Sequence, residues 1–246
     1  MKKAMIVASA VLLCGCAGTA NVMKSRDVTG KQTANINEDE VMQTYSYIDE
    51  ISSSDIEPMP IAIELAQEYT PSKMLNDSDD VVLAYVSSLT GASMEYNGVV
   101  GYTYGKMKVV KNLYGKLEEG AEIDFAKPGC VISFTEWEAA QPDEAKAKRA
   151  FLRKENDGMN TPKYYDLLIE NDIHIEPEKT YLVYLKYNQG MSKYEVVGLE
   201  NGLRETNISY KAKTVANDAT KDVTIKNNTT MQNESLDDYI SKYIPD

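Results

Sequence analysis

The stretch that most limits the fold is GVVGYTYGKMKVVKNLYG, residues 98–115. It is dominated by β-branched and aromatic side chains, which suit a pleated, half-buried surface. Gly101 and Gly105 fall inside the run. Glycine within a strand marks a bulge, a barrel bend or a close approach of another backbone. The run therefore predicts a long strand in a curved sheet.

Its neighbours read the same way. DVVLAYVSSLT (80–90) lies between an acidic turn and Gly91, AEIDFA (121–126) follows a glycine turn, and CVISF (130–134) follows Pro128-Gly129. The pattern then turns helical. PDEAKAKRAFLRKEN (142–156) opens on proline and is rich in good helix formers. TPKYYDLLIEND (161–172) predicts a second helix, with Thr161 as N-cap, Pro162 at the first position and Tyr165, Leu168 and Ile169 on one face. Strands return at 179–187 and 193–199, joined by NQGMS, with a further short strand within 203–213. Residues 214–233 are polar and read as a mobile linker. In the last segment, 234–246, Leu236, Tyr239, Ile240, Tyr243 and Ile244 share one helical face, and Ser235 with Asp238 fits an N-cap. A helix that amphipathic docks on its own domain or on a partner.

Ahead of the strands the signals are weaker. Asn37 with Glu40 fits a capping box, and Val41, Tyr45 and Ile48 suit either a helix or an edge strand. Pro60 opens a short helix carrying Ala62, Leu65, Ala66 and Tyr69, which Thr70-Pro71 stops.

The N-terminus speaks to location. Met1-Lys2-Lys3 precedes an apolar run from Ala4 to Leu13, the pattern of a secretory signal. The run is shorter than the ~20 residues a membrane-spanning helix needs. It ends Leu13-Cys14-Gly15-Cys16, which resembles the lipobox of bacterial lipoproteins. The resemblance implies cleavage between Gly15 and Cys16 and a diacylglyceryl thioether on Cys16. Residues 1–15 are then a signal peptide and 16–36 a polar, lipidated tether. Two or more acyl chains hold a protein on a membrane stably, where one does so only marginally. Loss of Cys14 and lipidation of Cys16 leave Cys130 as the sole thiol, so no intramolecular disulfide can form.

Three strands, a helical insertion and two strands follow the element order of the OB-fold, a five-stranded barrel. Segment 79–200 resembles that pattern and, in DDVVLAYV, VVKNLYGKLEEGAEIDF and KTYLVYL, a recurring domain of uncharacterised bacterial surface proteins. It is also weakly similar to netrin-like domains. The expected architecture is mainly β: a small OB-like antiparallel barrel over 37–213, with a helical insertion at about 136–175 between strands three and four, and a C-terminal amphipathic helix. In OB-folds the second and third strands, with the loops joining strands one to two and four to five, form the binding surface. Here those loops are TGASMEYNG (90–98) and NQGMS (188–192), and Tyr102 and Tyr104 share one face of strand two. The two tyrosines either stack a ligand or pack under the helical insertion.

Charge and composition narrow the chemistry. A net charge of −12 argues against nucleic acid as partner. His174 is the single histidine, which removes most triads and, with one remaining thiol, zinc sites. NDSDD (76–80) lacks the glycine and distal glutamate of a calcium loop and reads as a turn. Glu136 and Glu138 flank Trp137, the only tryptophan. In an extended segment they would form a carboxylate pair for glycoside cleavage; at a helix entrance they are solvated acids beside a core tryptophan. No phosphate-binding loop, dinucleotide fingerprint or CxxC motif occurs. The reading is a non-enzymatic protein- or ligand-binding module held at the membrane through Cys16, facing an envelope protein or a small ligand, with no cofactor, metal or catalytic residue assigned. A carboxylate-dependent cell-wall hydrolase and a structural spacer are the alternatives.

Overall fold

The computed structural model describes residues 45–61, 69–96, 98–155, 162–208 and 222–245. Gly15 and Cys16, the tether, the 37–41 capping segment, Ala62, Leu65, Ala66, Thr161 and residues 214–221 lie outside them. In chain order the strands and α-helices are β1 (Tyr45–Ser46), β2 (Ile56–Pro58), α1 (Pro71–Asp77), β3 (Asp80–Glu95), β4 (Val100–Tyr114), β5 (Glu122–Pro128) and β6 (Cys130–Ser133). After these come α2 (Phe134–Ala140), α3 (Asp143–Glu155), β7 (Tyr164–Leu167), β8 (Thr180–Asn188), β9 (Lys193–Val196) and β10 (Leu203–Glu205). The chain closes with β11 (Thr224–Lys226), β12 (Asn233–Ser235) and α4 (Leu236–Tyr243). No helix among the described residues is long and apolar enough to cross a membrane.

The molecule is mainly β. Its large sheet has seven strands in the order β1-β3-β4-β5-β9-β8-β10, and β3 also pairs with β8. Strand directions follow from the connections. β4 and β8 each run antiparallel to β3, β5 runs antiparallel to β4, and β9 runs antiparallel to β8. Two reversals on each side leave β5 and β9 pointing the same way, so the pair is parallel, with Phe125 opposite Tyr194 and Ala126 opposite Glu195. The expected antiparallel sheet is corrected here, at β1–β3 and, in the small sheet, at β2–β7. Register shifts along β3 between Val81 and Gly91 bend it.

β3 is apolar on both faces because both are covered. Val82, Ala84, Val86 and Leu89 join Met107, Phe125, Val183 and Leu203 in one cluster. Val81 and Leu83 join Leu182, Tyr184, Met74 of α1, Ile225 of β11, and Leu236 and Tyr239 of α4 in a second. A third holds Cys130, Ile132 and Leu167, with Met94 and Trp137 against it. The glycines of β4 mark close approaches: a Cβ on Gly105 would stand 2.2 Å from the Ser88 carbonyl oxygen and 2.8 Å from the Phe125 ring.

Several expectations change. The helix expected over 161–172 is instead strand β7, paired with β6 and, in parallel, with β2. Tyr164 and Tyr165 suit a strand, and pairing on both edges outweighs the N-cap pattern. Among the described residues of the insertion, the helices are α2 and α3. Thr70-Pro71 starts a helix rather than stopping one: Thr70 Oγ1 accepts from Lys73 N at 3.3 Å and Pro71 stands at the first helical position. From 222 onward the polar stretch forms the β11–β12 hairpin, because Val223 and Ile225 give it an apolar side that α4 covers. Tyr45–Ser46 forms a short parallel strand on β3, followed by a 3-10 turn over Tyr47–Glu50, so Tyr45 takes the strand alternative. The terminal helix docks in cis, capped by Ser235, with Tyr239 Oη 2.9 Å from Tyr184 Oη.

Candidate functional site

β4 presents Tyr102 and Tyr104 on one face, alternating with Thr103 and Gly105. Opposite Tyr104 on β5 stands Ala126, and opposite Ala126 on β9 stands Glu195. The small alanine leaves room above it, and the Tyr102 hydroxyl donates across that gap to Glu195 Oε1 at 2.6 Å. The second carboxylate oxygen, Oε2, accepts from Asn188 Nδ2 at 3.0 Å. Asn188 also donates to Tyr96 Oη at 3.2 Å, while its Oδ1 takes the backbone N–H groups of Gly190 and Met191 at 3.0 and 3.3 Å. The β3–β4 loop and the β8–β9 loop are thus tied together through Tyr96, Asn188, Glu195 and Tyr102.

Tyr104 has a carboxylate of its own. It donates to Glu95 Oε1 at 2.6 Å, and Ser93 Oγ donates to the same oxygen at 2.7 Å. Lys193 Nζ stands 5.6 Å from the Tyr104 ring centre. Burial, then the bond to Glu195, raises the Tyr102 phenol well above its ordinary range. Burial, then the bond to Glu95, pushes Tyr104 up to about 12. Both hydroxyls therefore stay protonated and act as donors, not as nucleophiles.

The two predicted tyrosines play different parts. Tyr102 is 3% exposed and serves as the post that holds Glu195. The ring that faces solvent is Tyr96, 55% exposed and 6.2 Å from the Tyr102 ring. Its φ of 50° lies in the left-handed region, which side chains other than glycine occupy at a cost of ~1 kcal/mol or more. Gly98 lets the end of α2 support this loop: Gln141 Nε2 donates to the Gly98 carbonyl at 3.2 Å, and an added Cβ would lie 2.4 Å from the Ala140 carbonyl oxygen. The chain matches no protein-family model, no curated protein and no solved structure.

The other sequence candidates fall elsewhere. Glu136 and Glu138 lie on helix α2, where positions two apart diverge. Ser133 caps α2, its Oγ accepting from Glu136 N at 3.2 Å and donating to Glu136 Oε2 at 2.7 Å, and Glu138 pairs with Arg149 at 3.6 Å. The Arg149 guanidinium stacks 4.6 Å from the half-buried Trp137 ring. That is the solvated helix entrance, not a facing carboxylate pair. His174 Nε2 lies 3.0 Å from Asp166 Oδ2. Cys130 is fully buried, and burial raises its thiol to about 12, which removes it as a nucleophile at neutral pH. The acids of NDSDD fasten turns: Asp80 Oδ1 accepts from Leu117 N at 2.8 Å and Asp79 Oδ2 from Tyr187 N at 2.9 Å.

Sequence reading named the two loops and Tyr102 and Tyr104 but missed Glu95, Asn188 and Glu195. Tyr102 and Glu195 are 93 residues apart, and no local pattern announces such a pair. The one available signal was Ala126, a small residue in a strand of larger ones.

Proposed function

We propose that this chain is a lipid-anchored, extracytoplasmic binding protein, non-enzymatic, whose large sheet forms an OB-like barrel. The circuit of pairings from β3 through β4, β5, β9 and β8 back to β3 supports the barrel, and the helices between its third and fourth strands support the OB-like order. The leader ending Leu13-Cys14-Gly15-Cys16 supports the anchor.

The observation that carries the binding role is the tie between the two loops through Tyr96, Asn188, Glu195 and Tyr102. It fixes an exposed aromatic ring beside two carboxylates before any ligand arrives, which lowers the entropy cost of binding. The partner is an envelope protein presenting a basic side chain. Tyrosine rings with Glu95 and Glu195 suit a cation, and Lys193 beside Tyr104 already illustrates that contact within the chain.

The test is cross-linking on intact cells with wild type, Tyr96→Ala and Glu195→Gln, each checked for an unchanged fold by circular dichroism. A partner cross-linked to wild type and lost from both variants supports the reading. A partner retained equally by all three proteins removes the tyrosine face from it. Cys16→Ser tests the anchor separately: the variant leaves the membrane fraction, and persistent membrane association refutes the lipobox.

A further inference from the structure

The side chains of Lys127 and Asp172 are 2% and 1% exposed, the most deeply covered ion pair among the described residues. Lys127 follows Ala126 near the end of β5 and so faces the same side of the sheet as Phe125. Asp172 closes a tight turn after β7: its N–H bonds the Ile169 carbonyl at 3.0 Å, and Asn171 before it has a φ of 64°. Lys127 Nζ lies 2.6 Å from Asp172 Oδ2 and donates to the Pro128 carbonyl at 2.9 Å. Asp172 Oδ1 accepts from Ile173 N at 2.7 Å.

As an ion pair this arrangement is poorly matched. An ammonium carries three donors, and Nζ has two acceptors among the described residues. Taking both charges out of water costs more than their attraction returns unless the remaining donors are met. A secondary amide in the same place needs one acceptor for its N–H and one donor for its carbonyl oxygen. The Pro128 carbonyl and the Ile173 N–H are those two groups.

The two side chains are also placed to react. Groups held in contact behave as if at ~10⁵–10⁸ M. A proton moving along the 2.6 Å bond turns ammonium and carboxylate into amine and carboxylic acid. The Nζ lone pair then adds to Cγ, and the Ile173 N–H stabilises the charge that develops on Oδ1. The Cγ–Oδ2 bond breaks. Oδ2 leaves as water, carrying the proton first received from the ammonium and a second one from Nζ. One hydrogen stays on Nζ, nothing is oxidised or reduced, and no co-reactant is consumed.

We propose that Lys127 and Asp172 form an intramolecular amide cross-link. It closes a loop containing β6, α2, α3 and β7, and so fastens that insertion to the large sheet. Among the described residues the one cysteine, Cys130, is free, so no disulfide does this work there. The proposal stands apart from the tyrosine face, so either can fail without the other.

The test is a tryptic mass map of the purified full chain, digested after denaturation. The expected result is a branched peptide joining 117–146 to 164–179, one water lighter than the sum of the two, with fragmentation placing the branch between Lys127 and Asp172. Lys127→Met keeps an unbranched side chain but has no amine, and should yield the two peptides separately. A plain ion pair changes stability but never mass, so the wild-type map decides even where that variant folds poorly. Wild-type protein recovered only as the two separate peptides overturns the proposal, as does a branch on any carboxylate other than Asp172.

Discussion

The Tyr102 hydroxyl reaches Glu195 at 2.6 Å over Ala126, a residue of the strand between them. One hydrogen bond therefore ties the second strand of the closed circuit to its last. Tyr102→Phe removes the donor and leaves Glu195 Oε1 beside an apolar ring. The expected loss is about 1–3 kcal/mol of stability in urea denaturation. Ala126→Leu fills the gap and should displace the same contact, so the two substitutions together should cost less than their sum.

Gly105 has backbone on one side and an aromatic ring on the other. Gly105→Ala puts a methyl group within 2.2 Å of the Ser88 carbonyl oxygen, which belongs to the paired strand and cannot swing away. A loss of at least about 1–3 kcal/mol is expected, read as a lower denaturation midpoint with an unchanged slope. Gly120, whose added Cβ meets nothing within 4 Å, is the control for space alone, although its φ of 86° carries a conformational cost.

Alkaline pH should unfold the protein through its tyrosines. Burial raises Tyr47 and Tyr104 to about 12, and raises Tyr102, Tyr181 and Tyr184 further from the ordinary 10.0. In this range the folded chain holds protons that the unfolded chain releases. The stabilisation is complete below about pH 10 and is lost as pH rises above it, through the folded values. Tyrosinate absorbance from these buried tyrosines should appear together with loss of structure. Smooth titration of all of them while the fold persists would contradict this.

Deleting residues 235–246 removes Leu236, Tyr239 and Ile244 from the second cluster and leaves Tyr184 Oη without its partner. Each buried side chain contributes about 1.5–3 kcal/mol, so a clear fall in melting temperature is expected. Tyr239→Phe isolates the hydroxyl pair and should cost about 1 kcal/mol.

Much of the sheet was legible because β3, β4, β5, β8 and β9 are runs of β-branched and aromatic residues bounded by turns. The terminal helix was legible from its spacing and its Ser235 cap. What failed was local evidence opposed by tertiary pairing. Thr161-Pro162 with Leu168 and Ile169 looks helical, yet the segment from Tyr164 is held between β2 and β6. The β11–β12 hairpin was hidden in polar sequence because its buried apolar side chains are only Val223 and Ile225, under α4. At the tyrosine face the aromatic half could be read from alternation along β4. Its carboxylate half could not, since Glu195 arrives through a parallel pairing that no single strand encodes.

β3 meets β4 at once but waits for β8, whose first residue in that pairing is Thr180. Until then the edge of β3 that Asp80–Tyr85 will share with β8 has no partner, and its apolar side chains lack one wall. A nascent or truncated chain ending before residue 180 is therefore an open, sticky ribbon rather than a smaller version of the protein. Assembly is a late event gated by chain length, and the interval before it is when the polypeptide is most exposed to aggregation and most in need of a chaperone.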